Sequence, residues 1–226
     1  MTNEVKRNKV MTISAPGQGN ALTTLGSLGI MQPVFHELHV VGWHIGWVGS
    51  VAFSPDGRLV LTGNWDKSAI MWEVSSGRIV RRLEGHTQSV RSVTFSPDGR
   101  FALTGSADKS AIMWDVSSGR IVRRLEGHTI SVDSVAFSPD GRLALTGSWD
   151  KSAIMWDVSS GRIVRRLEGH TDSVDSVAFS PDGRLVLTGS WDKSAIMWDV
   201  SSGQIVRRLE GQTNSVSSVA FSPEGR

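Results

Sequence analysis

The chain has 226 residues, a formal charge of +2, and 39 % apolar against 20 % charged side chains. That is enough apolar material for a packed core, and too balanced a charge for a disordered chain or a strongly basic nucleic-acid binder. With no Cys there is no disulfide, thiolate-held metal or Cys nucleophile, and no apolar run approaches the ~18 residues of a membrane helix.

In chain order, residues 1–20 read as a flexible tail. Lys6, Arg7 and Lys9 mimic the start of a signal peptide, but Ser14, Pro16, Gly17 and Gly19 interrupt the apolar segment that should follow. The chain is therefore expected in the cytoplasm. Gly17-Gln18-Gly19 lacks the third glycine of a dinucleotide loop. His36-Glu37-Leu38-His39 has the wrong spacing for a zinc protease, and on a strand its two histidines point to opposite faces. No metal or cofactor is expected.

From residue 43 the sequence repeats. Gly85-His86-Thr87 returns as Gly127-His128-Thr129 and Gly169-His170-Thr171, then altered as Gly211-Gln212-Thr213, a period of 42 residues. Residues 85–126, 127–168 and 169–210 are near-identical copies, 43–84 is a more diverged one, and 211–226 is a partial one.

Each copy predicts four strands. In 127–168, Val132, Val135 and Phe137 mark the first, and Ser138-Pro139-Asp140-Gly141 turns the chain. Leu143 and Leu145 alternate in the second strand, followed by the turn Trp149-Asp150-Lys151-Ser152. Ile154, Trp156 and Val158 alternate in the third, and Ile163, Arg165 and Leu167 in a more polar fourth after Ser159-Ser160-Gly161. A sheet apolar on both faces cannot bury itself alone, so the copies must stack. The paired arginines of the fourth strand, Arg81-Arg82, Arg123-Arg124, Arg165-Arg166 and Arg207-Arg208, are expected as a solvated edge that blocks further pairing.

The Gly-His start, the Ser-Pro-Asp-Gly turn and the Trp-Asp end of the third strand (Trp114-Asp115, Trp156-Asp157, Trp198-Asp199) resemble the WD-repeat family of β-propellers. The first copy departs mildly with Trp72-Glu73. The resemblance covers 43–226 and implies an all-β propeller with four complete four-stranded blades.

Each complete copy carries a His, a Thr, an Asp and a Trp at matching offsets. These are His44, Thr62, Asp66 and Trp72; His86, Thr104, Asp108 and Trp114; His128, Thr146, Asp150 and Trp156; and His170, Thr188, Asp192 and Trp198. A catalytic triad needs one uniquely shaped cleft, which four near-identical copies do not offer. The resemblance implies instead a buried hydrogen-bond chain inside each blade, a structural role. No catalytic residue is expected.

Comparing the three near-identical copies isolates where chemistry changes: Gln88/Ile130/Asp172, Arg91/Asp133/Asp175 and Ala107/Trp149/Trp191. In a propeller these segments rim one face, to which the first copy adds Trp47 and Trp65. Trp47, Trp65, Arg91, Ile130, Asp133, Trp149, Asp172, Asp175 and Trp191 are the candidate partner-binding residues. Trp and Arg serve as anchors, and the acidic groups select a basic protein or peptide. The competing expectation is that these Trp side chains merely pack between neighbouring blades.

Four periods fall short of the seven blades usual in the resembled family. Leaving about 400 Å² of apolar sheet open would forgo roughly 10 kcal/mol. Residues 21–42 resemble worn strands: Ala21-Leu22-Thr23, with Gly26-Ser27, echoes Ala144 to Ser148. With Val216 to Phe221 they would build a fifth blade closed by N- and C-terminal strands. The alternatives are an open arc, a homo-oligomer joined through blade edges, and a fragment of a longer protein.

Overall fold

The computed structural model describes residues 46–224, and all sixteen of their regular elements are strands. The first sheet contains β1 (Val48–Phe53), β2 (Leu59–Asn64), β3 (Ser68–Glu73) and β4 (Ile79–Glu84); the second contains β5 (Val90–Phe95), β6 (Phe101–Ser106), β7 (Ser110–Asp115) and β8 (Ile121–Glu126). The third contains β9 (Val132–Phe137), β10 (Leu143–Ser148), β11 (Ser152–Asp157) and β12 (Ile163–Glu168); the fourth contains β13 (Val174–Phe179), β14 (Leu185–Ser190), β15 (Ala195–Asp199) and β16 (Ile205–Leu209). Each is an antiparallel meander in chain order. Local chemistry sets the turns. Ser138 Oγ donates to Asp140 and accepts the Leu143 N–H, while Gly141 takes φ 71°.

The middle strands of the second and third sheets are buried on both faces because each of these sheets is sandwiched between its neighbours. Leu61, Ala69, Met71 and Leu83 of the first sheet pack on Val90, Phe95, Ile112 and Trp114 of the second. The same contact recurs one and two periods later. The first strands of successive sheets are pinned together by hydroxyls. Ser50, Ser92 and Ser134 Oγ accept the N–H of Val93, Val135 and Val177 at 3.0–3.1 Å.

Two irregularities matter for the surface. The pairing of β5 with β6 skips from Val90 to Ser92, and the same skip at Gly49, Asp133 and Asp175 makes each of these a β-bulge residue. A bulge re-aims its side chain, here away from the sheet pairing. It also explains why Val132 and Val135 are three apart where simple alternation would give two. A second bulge at Val164 breaks the alternation expected of the fourth strand: Ile163 and Val164 are exposed and only Leu167 is buried. The third strand stops at Asp157, one residue short of the expected Val158, whose N–H bonds Arg142 O in the turn.

The arginines of the fourth strands stay largely exposed at the sheet edge, as expected, and several of them also bridge the blades. Arg81 and Arg123 donate to the carbonyls of Ser117 and Ser159 in the next blade, and Arg124 reaches Gly85 O at 2.8 Å. Long side chains span the blade junction and satisfy turn carbonyls there, so they brace the stack.

After β16, residues 216–221 form no strand among the described residues, although a first strand was expected. They still lie where a fifth blade would begin: Val216 N–H bonds Ser190 O and Val219 N–H bonds Ser176 Oγ. The expected tail (1–20), the worn strands (21–42), their terminal clasp and His44 lie outside the described residues.

Candidate functional site

The repeated His, Asp, Thr and Trp come together inside the second, third and fourth blades. His128 Nδ1 lies 2.8 Å from Asp150 Oδ2, and its Nε2 lies 2.8 Å from Thr146 Oγ1. Trp156 Nε1–H donates to the same hydroxyl at 2.9 Å. Nδ1–H therefore donates to the carboxylate, and Nε2 accepts from the Thr hydroxyl. The second and fourth blades repeat this with His86, Asp108, Thr104 and Trp114, and with His170, Asp192, Thr188 and Trp198. In the first blade Trp72 donates to Thr62, and Asp66 accepts from Ser68. Gln212, at the matching place after the fourth blade, is exposed.

Burial opposes ionisation of Asp108 and Asp150. Hydrogen bonds from the histidine, from Ser110 or Ser152, and from a backbone N–H outweigh it and hold both carboxyls far below the ordinary range. Burial lowers His170, keeping it neutral against its aspartate. A histidine whose two nitrogens are both engaged in a buried strut has no free base to offer a substrate. The grooves beside these struts repeat at each junction with the same lining, as with Thr129, Asp150, Lys151 and Arg166. No unique cleft exists among them. The described residues also contain no group of three His, Cys, Asp or Glu able to hold a metal.

The second set of residues lines one rim. The bulge residues Arg91, Asp133 and Asp175 meet the turn residues Trp65, Trp149 and Trp191. Each turn is held against the loop before its blade's first strand, as where Trp149 N–H bonds Ser131 O at 3.0 Å. Trp47 and Trp65 stack at 5.7 Å between ring centroids, 25° from parallel. The Arg91 guanidinium lies 5.1 Å from the Trp65 ring and 5.2 Å from the Trp149 ring, spanning the place where the second blade has Ala107 in place of Trp. Asp133 lies 3.9 Å from Arg91. Trp149 and Trp191 follow at 6.3 Å, and Trp191 Nε1–H donates to Asp175. The result is a continuous ribbon, Trp47–Trp65–Arg91–Trp149–Trp191, crossing all four blades.

Exposure along it is uneven. Trp47 is 77 % exposed and Trp65 and Trp191 about half exposed, whereas Trp149 is tucked beneath its neighbours. The tryptophans thus pack between blades and also present ring faces to solvent. Burial raises the Asp133 carboxyl above its usual value, with Arg91 opposing and Asp175 adding to the rise. Burial also raises Asp175, opposed by the Trp191 and Trp149 indoles and reinforced by Asp172. Ile130 and Asp172 are exposed in the loops beside the ribbon, and no ring contact joins Ile130 to it. Sequence reasoning missed the inter-blade serines and the arginine braces. The signal was their recurrence at identical offsets in every copy.

Four-stranded meanders stacked face to face, three of them locked by a complete His–Asp–Thr–Trp strut among the described residues, define blades of a β-propeller. Sequence comparison gives their family: the chain belongs to the WD domain, G-beta repeat family, matched at 35–73, 77–115, 119–157, 161–199 and 203–226. From the second onward, each full match opens before an outer strand and ends with the third strand of the next sheet. The chain is similar to WD repeat-containing protein 38 of Homo sapiens, 50 % identical over 44 residues, 20 % of this chain and 14 % of that one. It is similar to small ribosomal subunit protein RACK1y of Oryza sativa subsp. japonica, 38 % identical over 45 residues, 19 % of this chain and 13 % of that one. It is also similar to pre-mRNA-splicing factor PRP46 of Saccharomyces cerevisiae, 36 % identical over 53 residues, 23 % and 12 %. Each match is about one repeat long and spans roughly an eighth of the relative. WD repeats generally mediate protein–protein interaction rather than catalysis. No helix among the described residues is long and apolar enough to cross a membrane.

Proposed function

We propose that this chain is a non-catalytic protein-interaction module whose partner binds the tryptophan ribbon. The observation that carries this reading is the ribbon itself: Trp47, Trp65 and Trp191 expose large ring faces beside Arg91, Asp172 and Asp175 on one rim. Soluble surfaces hide tryptophan unless it has work there, and Trp and Arg are the side chains that dominate binding hot spots. The blades hold these residues on fixed turns, so a partner does not have to order them. The test is selection of a random peptide library displayed on phage against the protein and against the Trp149→Ala/Trp191→Ala variant. The expected result is enrichment on the parent and loss on the variant, with the thermal transition retained. Equal capture by both removes the ribbon from the binding site.

One observation favours a second reading, a module that works with its open blade covered by another copy or by further repeats. Leu83, Leu125 and Leu167 are 1–3 % exposed, but their equivalent Leu209 is 42 % exposed. Light scattering on a sizing column tests the first of these covers, another copy: a dimer or ladder supports blade-to-blade assembly, and a stable monomer of 24.5 kDa refutes assembly between copies.

A further inference from the structure

The ribbon contains its own example of a bound cation. In the second blade the bulge residue is arginine and the turn residue is alanine, the reverse of the acid–tryptophan pair in the third and fourth. The Arg91 guanidinium therefore lies across the Trp65 ring of the preceding blade and beside Asp133 of the following one. At the other end of the ribbon the residue one period after Asp175 is Ser217, which is exposed and too short to cover the Trp191 ring. Trp191 is left 50 % exposed.

Charge is also unbalanced there. Among the ribbon's charged residues, Asp133, Asp172 and Asp175 face a single cation, Arg91, and Arg91 pairs with Asp133. Asp175 accepts from Trp191 through one oxygen, while its other oxygen is buried without a hydrogen-bond partner, so Asp175 acts on the rim through its charge. Trp149 Nε1 lies beside the same carboxylates without a well-formed hydrogen bond. An open indole face beside the exposed Asp172 and the charge of Asp175 calls for a flat cation that can stack on the ring and donate to the Asp172 carboxylate. A guanidinium does both, whereas an ammonium is a compact, strongly hydrated point charge.

We propose that the open face of Trp191, with Asp172 and Asp175, receives an arginine side chain of the partner, in the arrangement Arg91 makes with Trp65 and Asp133. This rests on the reading that the ribbon is the partner-binding face and names the side chain it selects.

The probe is acetyl-arginine amide, titrated against protein carrying ¹⁵N-labelled indoles, with acetyl-lysine amide and acetyl-citrulline amide as comparators. The expected result is a saturable shift of the Trp191 indole resonance with arginine. Lysine should bind several-fold more weakly, and citrulline, which keeps the shape but not the charge, at least tenfold more weakly. Asp175→Asn and Asp172→Asn should each weaken arginine binding about tenfold. Ser217→Arg places an arginine where Arg91 lies one end earlier and should abolish the titration by filling the slot. It alters only an exposed position, so it remains informative if Asp175→Asn perturbs the blade. No shift, equal binding of lysine, or an undiminished shift in Ser217→Arg overturns the proposal. Library peptides that need Trp149 and Trp191 but carry no arginine would overturn it while leaving the interaction module standing. Failure of any peptide to select the ribbon would remove the module reading as well.

Discussion

Replacing Thr146 by valine tests whether the strut holds its blade. The hydroxyl is fully buried and serves His128 Nε2 at 2.8 Å and Trp156 Nε1 at 2.9 Å, with a longer contact to Ile154 O at 3.4 Å. Valine keeps the volume, so no cavity opens and packing is nearly unchanged. It strands an indole N–H on a side chain 2 % exposed and an imidazole nitrogen on one 8 % exposed. Each stranded buried group costs about 1–3 kcal/mol, so Thr146→Val should destabilise by about 2–6 kcal/mol. Thr146→Ser, which keeps the hydroxyl, should recover most of this. Thr129→Val, at an exposed position, should stay within about 0.5 kcal/mol of the parent. Urea unfolding followed by circular dichroism gives the ranking. Hydrogen exchange should place the loss in β9 to β12, because repeats couple mainly to their neighbours. A Thr146→Val midpoint indistinguishable from that of Thr129→Val would refute the reasoning, since it would mean that the buried donors had found water.

Stability should fall on acidification in two stages. Burial lowers His170, so below its ordinary value near 6.5 the unfolded chain takes up a proton that the fold refuses. Ten described aspartates are lowered, the strut carboxyls most of all and Asp115, Asp157 and Asp199 to about 2, against two raised, Asp133 and Asp175. Their stabilisation is present above about pH 4 and is lost below it, so urea midpoints should be highest near neutral pH and drop again below about pH 4; a midpoint rising from pH 7 to 5 would contradict the His170 sign. Gly105→Ala should cost about 1–3 kcal/mol, because its new methyl would lie 2.8 Å from Val135 Cγ1 and 2.9 Å from Val132 Cγ1 across the blade junction; a thermal midpoint matching the parent would show that the junction yields. Ser134→Ala removes the acceptor of Val177 N–H and should cost about 1 kcal/mol in the same assay, with no loss if that N–H finds another partner.

Much of this protein follows from sequence alone. The 42-residue period, the turn residues and the alternating apolar pairs are local or repetitive signals, and they determine the four strands of each blade. The strut was legible because four chemically distinct residues recur at fixed offsets, which random drift does not arrange. Differences between copies pointed to the rim, since residues free of the common structural task are the ones left to vary. The outer arginines were only half legible: a charged pair on a polar strand does stay exposed, but its reach to the next blade's turn carbonyls shows only once the sheets are stacked. Only the tertiary structure decided that the bulges turn Arg91, Asp133 and Asp175 toward the tryptophans. Only it set Arg91 between the indoles of two other blades, residues 26 and 58 positions away in the chain. Side-chain direction at a bulge and contact across a blade junction depend on the stacking of whole sheets, and no local spacing encodes that.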